Sequence, residues 1–355
     1  MADAPLTTFT LPRRLAATEP PEARGLRRDQ VRMLVSRPDG VEHARFNELS
    51  RILHPGDLVV INTSATRAAA VDGIRAGGEP VVIHFSTPLD DGWIVELRAR
   101  DGSGPIEDAT PGETFELPYR AWLRLEAAHP DPAMETGSRL WRSRAGIDGP
   151  VEVWLGNHGR PISYGYLRGR WPLADYQTVF ARDPASAEMP SAARPFTRRL
   201  VTNMVTAGIN LAPVVLHCGV SSLETGELPQ TEWFRVPPAT AWLMNETRKA
   251  GGRVIAVGTT VTRAIETVSN IDGSVTSGQG WTDLVLGPNR PARAVDALIT
   301  GWHPPRASHL LLLEAVAGAE LVQDAYDAAI TAGYLWHEFG DSCLILPAHG
   351  RKGHP

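Results

Sequence analysis

Arg253-Val-Ile-Ala-Val-Gly-Thr-Thr-Val-Thr-Arg-Ala-Ile-Glu266 changes its periodicity half-way along. Val254 to Val257 is a short apolar, β-branched run, which predicts a buried parallel strand. Val261, Ala264, Ile265 and Val268 then fall at i, i+3, i+4 and i+7, the stripe of an amphipathic helix. Gly258, Thr259 and Thr260 lie between them, a tight strand-to-helix turn whose hydroxyls suit an N-cap. A turn of this kind leaves backbone N–H groups and the positive end of a helix dipole above the strand ends, where a carboxylate or phosphate is the natural occupant. Arg263 and Glu266 stand off the apolar stripe, beside that opening. The same residues also read as a capped crossover turn with no ligand.

Outward from this stretch, strand and helix signals alternate. On the amino side, Thr197 is placed to cap a helix ending at Gly208, Leu211 to His217 is a strand, and a helix runs from Ala239 to Lys249. Gly251 and Gly252 are placed to stop it. On the carboxyl side, Ala294 to Thr300 is a strand, Ser308 precedes a Leu-rich helix, and Leu321 to Ala332 is another helix. Tyr334 to Leu346 reads as two strands around Gly340-Asp341. His54 to Asn62 is a turn and a buried strand, whereas residues 1–55 otherwise read as extended segments and turns. Between 68 and 158 the texture differs. Pro80–Phe85, Trp93–Arg98, Thr114–Leu117, Trp122–Glu126, Arg139–Arg142 and Val151–Leu155 are short alternating runs separated by Gly, Pro or Asp, as in a small antiparallel barrel. The expected fold is α/β: a mainly parallel sheet domain from 1–67 and 159–355, interrupted by an inserted antiparallel β-barrel-like domain over 68–158.

Composition narrows the function classes. The 355 residues carry a formal net charge of −5, with 43% hydrophobic and 21% charged residues, as in ordinary globular chains. No global field draws the chain to nucleic acid or to an anionic membrane. The start lacks a secretory signal, and no apolar run approaches the ~20 residues of a membrane span, so the expected location is the cytoplasm. Cys218 and Cys343 are far apart and read as free thiols. The eleven histidines show no metal-ligand spacing, so no metal is expected.

Four polar clusters fall at expected strand ends: His217-Cys-Gly219, Gly258-Thr-Thr260 with Arg263 and Glu266, Thr300-Gly-Trp-His303, and Gly340-Asp341. Ligands of open α/β sheets bind outside the carboxyl ends of strands. Each cluster also has an ordinary reading: a core histidine at 217, a rigid His303-Pro-Pro loop, a turn at 340–341. Cys218 has no base placed beside it by spacing. Arg194, Arg198 and Arg199 read as a solvated helix face, or with Arg67, Arg168 and Arg170 as a basic surface.

Over nearly its whole length the chain resembles the S-adenosylmethionine:tRNA ribosyltransferase-isomerases of queuosine biosynthesis. The resemblance is carried by Pro55-Gly-Asp-Leu-Val-Val-Ile-Asn62 with Thr66-Arg67, Gly77-Gly78 before Val81-Val-Ile, and Tyr176-Gln-Thr-Val-Phe180. Val257-Gly-Thr-Thr260 with Arg263 and Glu266, Val295-Asp-Ala-Leu-Ile-Thr300 with His303, Pro305 and Ser308, and Tyr334 with Gly340-Asp341 complete it. It implies S-adenosylmethionine as a ribosyl donor, loss of adenine and methionine, and a 7-aminomethyl-7-deazaguanine in tRNA as acceptor. It implies donor contacts from Gly258, Thr259, Thr260, Arg263, Tyr176, Gln177 and Ser191, and proton transfer by Glu266, Asp341, His217 or His303. Four stretches differ from the family pattern. Pro190-Ser-Ala-Ala-Arg-Pro-Phe196 has Pro195 in place of the family histidine. His217-Cys-Gly-Val-Ser-Ser-Leu223 keeps only its first part, Gly301 replaces an asparagine, and a Pro-rich loop reads Gly159-Arg-Pro-Ile-Ser-Tyr-Gly-Tyr166. The expectation is a divergent enzyme that cleaves S-adenosylmethionine, with a small-molecule or tRNA acceptor and the tRNA deazaguanine disfavoured. The rivals are the full tRNA reaction and a binding protein without catalysis.

Overall fold

The structure is a computed structural model and describes residues 4–221, 227 and 229–348. Its centre is a nine-stranded sheet in the order Gly278–Thr282, Glu232–Val236, Asn210–Leu216, Leu58–Asn62, Val254–Val257, Ala297–Thr300, Ser342–Ile345, Arg32–Arg37 and Gly40–Arg45. The four strands from Asn210–Leu216 to Ala297–Thr300 pair in parallel. Their residues are almost all apolar and buried, because helices cover both faces. The expected parallel sheet is therefore its core, but the flanks are mixed. Ser342–Ile345 runs antiparallel to Ala297–Thr300 and parallel to Arg32–Arg37, and the other flanking pairs are antiparallel. Arg32–Arg37 and Gly40–Arg45 form a hairpin, and a connection this short allows only antiparallel pairing. This hairpin lies in the segment expected to be merely extended.

Six strands between Ala70 and Gly146 form a closed antiparallel barrel around Phe85, Val95, Phe115, Leu123 and Trp141. One expected strand is absent from it: Val151–His158 is a helix. Val-Glu-Val-Trp-Leu alternates like a strand, but Pro150 precedes it, and adjacent Trp154 and Leu155 both turn onto the barrel core. The expected pair of strands over 334–346 is a single strand, Ser342–Ile345. The approach to it is an irregular loop with His337 at φ 72°. Asp341 holds that loop, accepting from the N–H groups of Leu335 and Arg32, each at 2.8 Å.

The stretch Val254–Glu266 folds as its periodicity requires, with one difference at the turn. The helix is Thr259–Thr267, and its N-cap is Gly258 at φ 93°, ψ 163° rather than a threonine hydroxyl. Only glycine populates that region without strain. A Cβ there would also stand 3.2 Å from Ala192. The Gly258 N–H is bound to the Ile299 carbonyl at 2.7 Å, which ties the turn to the neighbouring strand. Among the described residues no helix is long and apolar enough to cross a membrane.

Candidate functional site

A cavity of about 550 Å³ opens at the carboxyl ends of the parallel strands, within the size range of small-molecule sites. Its floor is Val257–Thr260 and Thr300–His303; Arg98 and Gly102 reach it from the barrel side. Buried Asn62 fixes the floor. Its amide donates to the Leu216 carbonyl at 2.8 Å and to Thr260 Oγ1 at 3.4 Å, and its oxygen accepts from the Ser64 and Leu216 N–H groups. One side chain thus locks two strand ends and the helix start. The N–H groups of Thr259, Thr260 and Val261 have no acceptor among the described residues, as expected for a helix's first turn facing an anion site.

All four polar clusters reach this edge of the sheet, the last through its neighbours. Ser342–Ile345 runs antiparallel to Ala297–Thr300, so its amino end, with His337 and Glu338 before it, meets the other strands' carboxyl ends. Of the residues singled out in the sequence, Gly258, Thr259, Thr260, Arg263, Tyr176, Ser191 and His303 line the cavity. Four others have different positions. Glu266 is buried at the far end of its helix, accepting from the N–H groups of Arg293, Ala294 and Val295 and pairing with Arg290 at 3.3 Å. Gln177 clamps the Thr66 backbone, accepting from its N–H at 3.1 Å and donating to its carbonyl at 2.7 Å. His217 bonds Ser64 Oγ through Nδ1 at 2.8 Å and stacks on Trp233, so it holds a strand end. Asp341 braces the 335–341 loop behind the cavity.

Arg263 faces the cavity with its donors already engaged. It pairs with Glu232 and donates to the carbonyls of Leu284, Gln230 and Thr282 at 3.0 to 3.2 Å. Burial raises the Glu232 carboxyl despite this guanidinium. His303 shares a hydrogen bond with Thr300 Oγ1 at 3.1 Å through Nε2 and stacks flat on His309, centroids 4.5 Å apart. Burial holds His303 well below the usual imidazole range and His309 at about 4, so both are neutral at pH 7. Cys218 also lines the cavity, but burial pushes its thiol far up and leaves it inert. Arg67 and Arg194 are buried, Arg194 against Glu22 and the Phe339 ring. Only Arg168, Arg170, Arg198 and Arg199 of the suspected basic surface are exposed. Among the described residues no group of three His, Cys, Asp or Glu side chains is arranged to hold a metal.

Several lining residues carry no local sequence signal: Tyr164, Tyr166, Glu188, His337 and Glu338. Tyr164 donates to Glu188 and Tyr166 to Glu338. The altered stretches supply much of this wall. Tyr164 and Tyr166 come from 159–166, Ser191 from 190–196, Ser221 from 217–223, and Gly301 stands beside them. Residues 222–226 of the altered loop lie outside the described residues.

The family model for queuosine biosynthesis protein matches residues 6–345. The chain belongs to this queuosine biosynthesis family. An S-adenosylmethionine:tRNA ribosyltransferase-isomerase of Moorella thermoacetica is 33% identical over 369 residues, covering 95% of this chain and 98% of that protein. One from Anaeromyxobacter dehalogenans is 35% identical over 352 residues, covering 95% and 97%. The crystal structure of an S-adenosylmethionine tRNA ribosyltransferase from Thermotoga maritima matches with a TM-score of 0.53 and 27% identity, over 96% of this chain and 99% of that one. The family is one of transferase-isomerases, and the closed barrel set into a mixed sheet agrees with its fold.

Proposed function

We propose that this protein takes S-adenosylmethionine into the cavity as a ribosyl donor, releases adenine and methionine, and passes the ribosyl carbons to 7-aminomethyl-7-deazaguanine in a tRNA. The observation that carries the reading is the helix start at Gly258–Thr260, opening into the same cavity as a neutral histidine and free carboxylates. The unpartnered N–H groups of Thr259, Thr260 and Val261, at the positive end of a nine-residue helix, suit the methionine carboxylate. Arg263 acts indirectly, since its donors are used within the protein; it fixes the wall over that helix. Ser191 offers its hydroxyl to the donor. His303, held neutral, accepts the proton from the carbon beside the sulfonium. The ribose ring opens, C4′–O breaks and adenine leaves C1′ with a proton, which leaves an aldehyde there. The acceptor amine bonds to C4′ and gives up its proton, C5′ closes on C1′, and the C1′ oxygen displaces methionine from C5′ as a neutral thioether carrying the carbon–sulfur pair. A tRNA acceptor places the enzyme in the cytoplasm.

A second reading keeps the donor chemistry and changes the acceptor. It is favoured by Pro195, which cannot carry a proton where the family pattern has a histidine. It also draws on the changed stretches that converge on the cavity. The test is incubation with S-adenosylmethionine and tRNA bearing the aminomethyl base, followed by mass spectrometry of the digested nucleosides. Formation of the epoxycyclopentane nucleoside, steeply weakened by salt because phosphate contacts dominate tRNA affinity, supports the first reading. Adenine release that leaves the tRNA nucleoside unchanged supports the second. No adenine in either case overturns both.

A further inference from the structure

Two carboxylates face the cavity without a cation. Glu188 accepts from the hydroxyls of Tyr164 and Ser221 and from the Ser221 N–H at 2.8 Å. Glu338 accepts from the Tyr166 hydroxyl. Among the described residues no lysine or arginine pairs with either. The two arginines that reach the cavity are already neutralised, Arg98 by Glu96 at 2.8 Å and Arg263 by Glu232. The histidines add no charge near neutrality, because burial holds His303, His309 and His337 low. The wall therefore keeps an uncompensated acidic pair.

Beside the carboxylates the wall is flat and aromatic. Tyr164 and Tyr166 stack with centroids 6.2 Å apart, and Tyr166 stacks on His337 at 4.1 Å with 16° between the planes. The Tyr176 hydroxyl adds an independent sign of a ligand. The residue is 3% exposed, lines the cavity, lies within the field of Glu338, and its hydroxyl has no partner among the described residues. A buried hydroxyl of this kind needs a polar atom to meet it.

We propose that this wall is the acceptor subsite, where Glu188 and Glu338 hold a protonated primary amine and the Tyr164, Tyr166 and His337 rings pack on the flat ring that carries it. The inference rests on the amine-bearing acceptor of the reading above. Carboxylates in a poorly hydrated cleft bind an ammonium more strongly than water would allow, and the Tyr166 ring adds cation–π attraction, the Tyr164 ring already lying under the Arg98 guanidinium at 5.0 Å. A neutral group of the same shape gains neither. Burial pushes Glu338 up to about 7, so the arriving ammonium displaces a proton from it.

The test is calorimetric binding of free 7-aminomethyl-7-deazaguanine and of 7-cyano-7-deazaguanine to the intact protein, beside a thermal shift with S-adenosylmethionine. The two bases share a ring, and only the first carries a cation. The amine should bind at least tenfold more tightly, and its binding heat at pH 7 should differ between phosphate and Tris, reporting proton release. In Glu188→Gln and Glu338→Gln, each checked by its melting transition, the preference should fall to about twofold or less. Equal affinities in the unmodified protein, no binding of either base, or a preference that survives both substitutions overturns the subsite. A donor shift without amine preference sinks the subsite and leaves the proposed function standing. Amine preference without a donor shift does the reverse.

Discussion

The guanidinium of Arg263 pairs with the carboxylate of Glu232 and gives its other donors to three backbone carbonyls, so both charges are buried and mutually dependent. Removing one member leaves the other charge without compensation in a dry site, a loss of ~3–5 kcal/mol for buried pairs. Arg263→Ala should therefore lower the melting temperature clearly even without ligand. Arg263→Lys should recover little, since an ammonium cannot reach acceptors arranged for a fork. Differential scanning calorimetry decides. An unchanged transition with a lost S-adenosylmethionine response would make Arg263 a direct carboxylate anchor instead.

Glu266 should behave as a structural carboxylate. Its oxygens satisfy three consecutive N–H groups and the Ser269 hydroxyl, and it is 1% exposed. Glu266→Gln replaces an acceptor oxygen with a donor facing those N–H groups. The expected cost is ~1–3 kcal/mol for each group left unsatisfied. Denaturant unfolding should show this loss, with donor affinity within a few-fold of the starting protein. A fully stable variant with turnover down ~100-fold would return Glu266 to the proton-transfer step.

Much of this was legible because buried parallel strands announce themselves as unbroken apolar runs. Val254–Val257 and Leu58–Asn62 are such runs, and Gly258 between a strand and an amphipathic stripe marks the turn above them. Val151–His158 was misleading because its alternation matches a strand while packing, not period, sets its helix. The aromatic run 334–339 resembles a strand by composition, yet its rings line the cavity and pack behind it. The carboxylate wall was illegible for another reason. Tyr164 meets Glu188 across 24 positions and Tyr166 meets Glu338 across 172, so only the tertiary fold assembles them.

The strand-to-helix turn should tolerate no side chain at 258. Gly258→Ala forces a Cβ into a glycine-only region and toward Ala192, with a cost of ~1–3 kcal/mol. Because the turn aims the free N–H groups, donor affinity should fall with stability. A variant as stable as its parent with unchanged affinity for S-adenosylmethionine would remove the turn from the binding site.

Glu338 should leave a signature in stability against pH. Its ordinary carboxyl value of 4.5 is raised to about 7 in the fold by burial, with Tyr166 donating to it and Glu188 nearby. Between those values the folded state keeps a proton that the unfolded chain has released, so this group's contribution falls as pH rises and levels off above 7. His309 and His337, lowered from 6.5 to about 4, act with the opposite sign below 6.5. The comparison with Glu338→Gln isolates the carboxyl. The variant should gain melting temperature relative to the parent between pH 5 and pH 8. Parallel curves over that range would place Glu338 at an ordinary value.

The most direct measurement is the product balance from S-adenosylmethionine itself. Saturating donor should first stabilise the protein, by ~2.7 kcal/mol at a hundredfold excess over its dissociation constant. With the aminomethyl acceptor present, chromatography should then show adenine and methionine accumulating one for one. S-adenosylhomocysteine as the product, or a bound donor that stays intact with every amine-bearing acceptor, would contradict ribosyl transfer in this cavity.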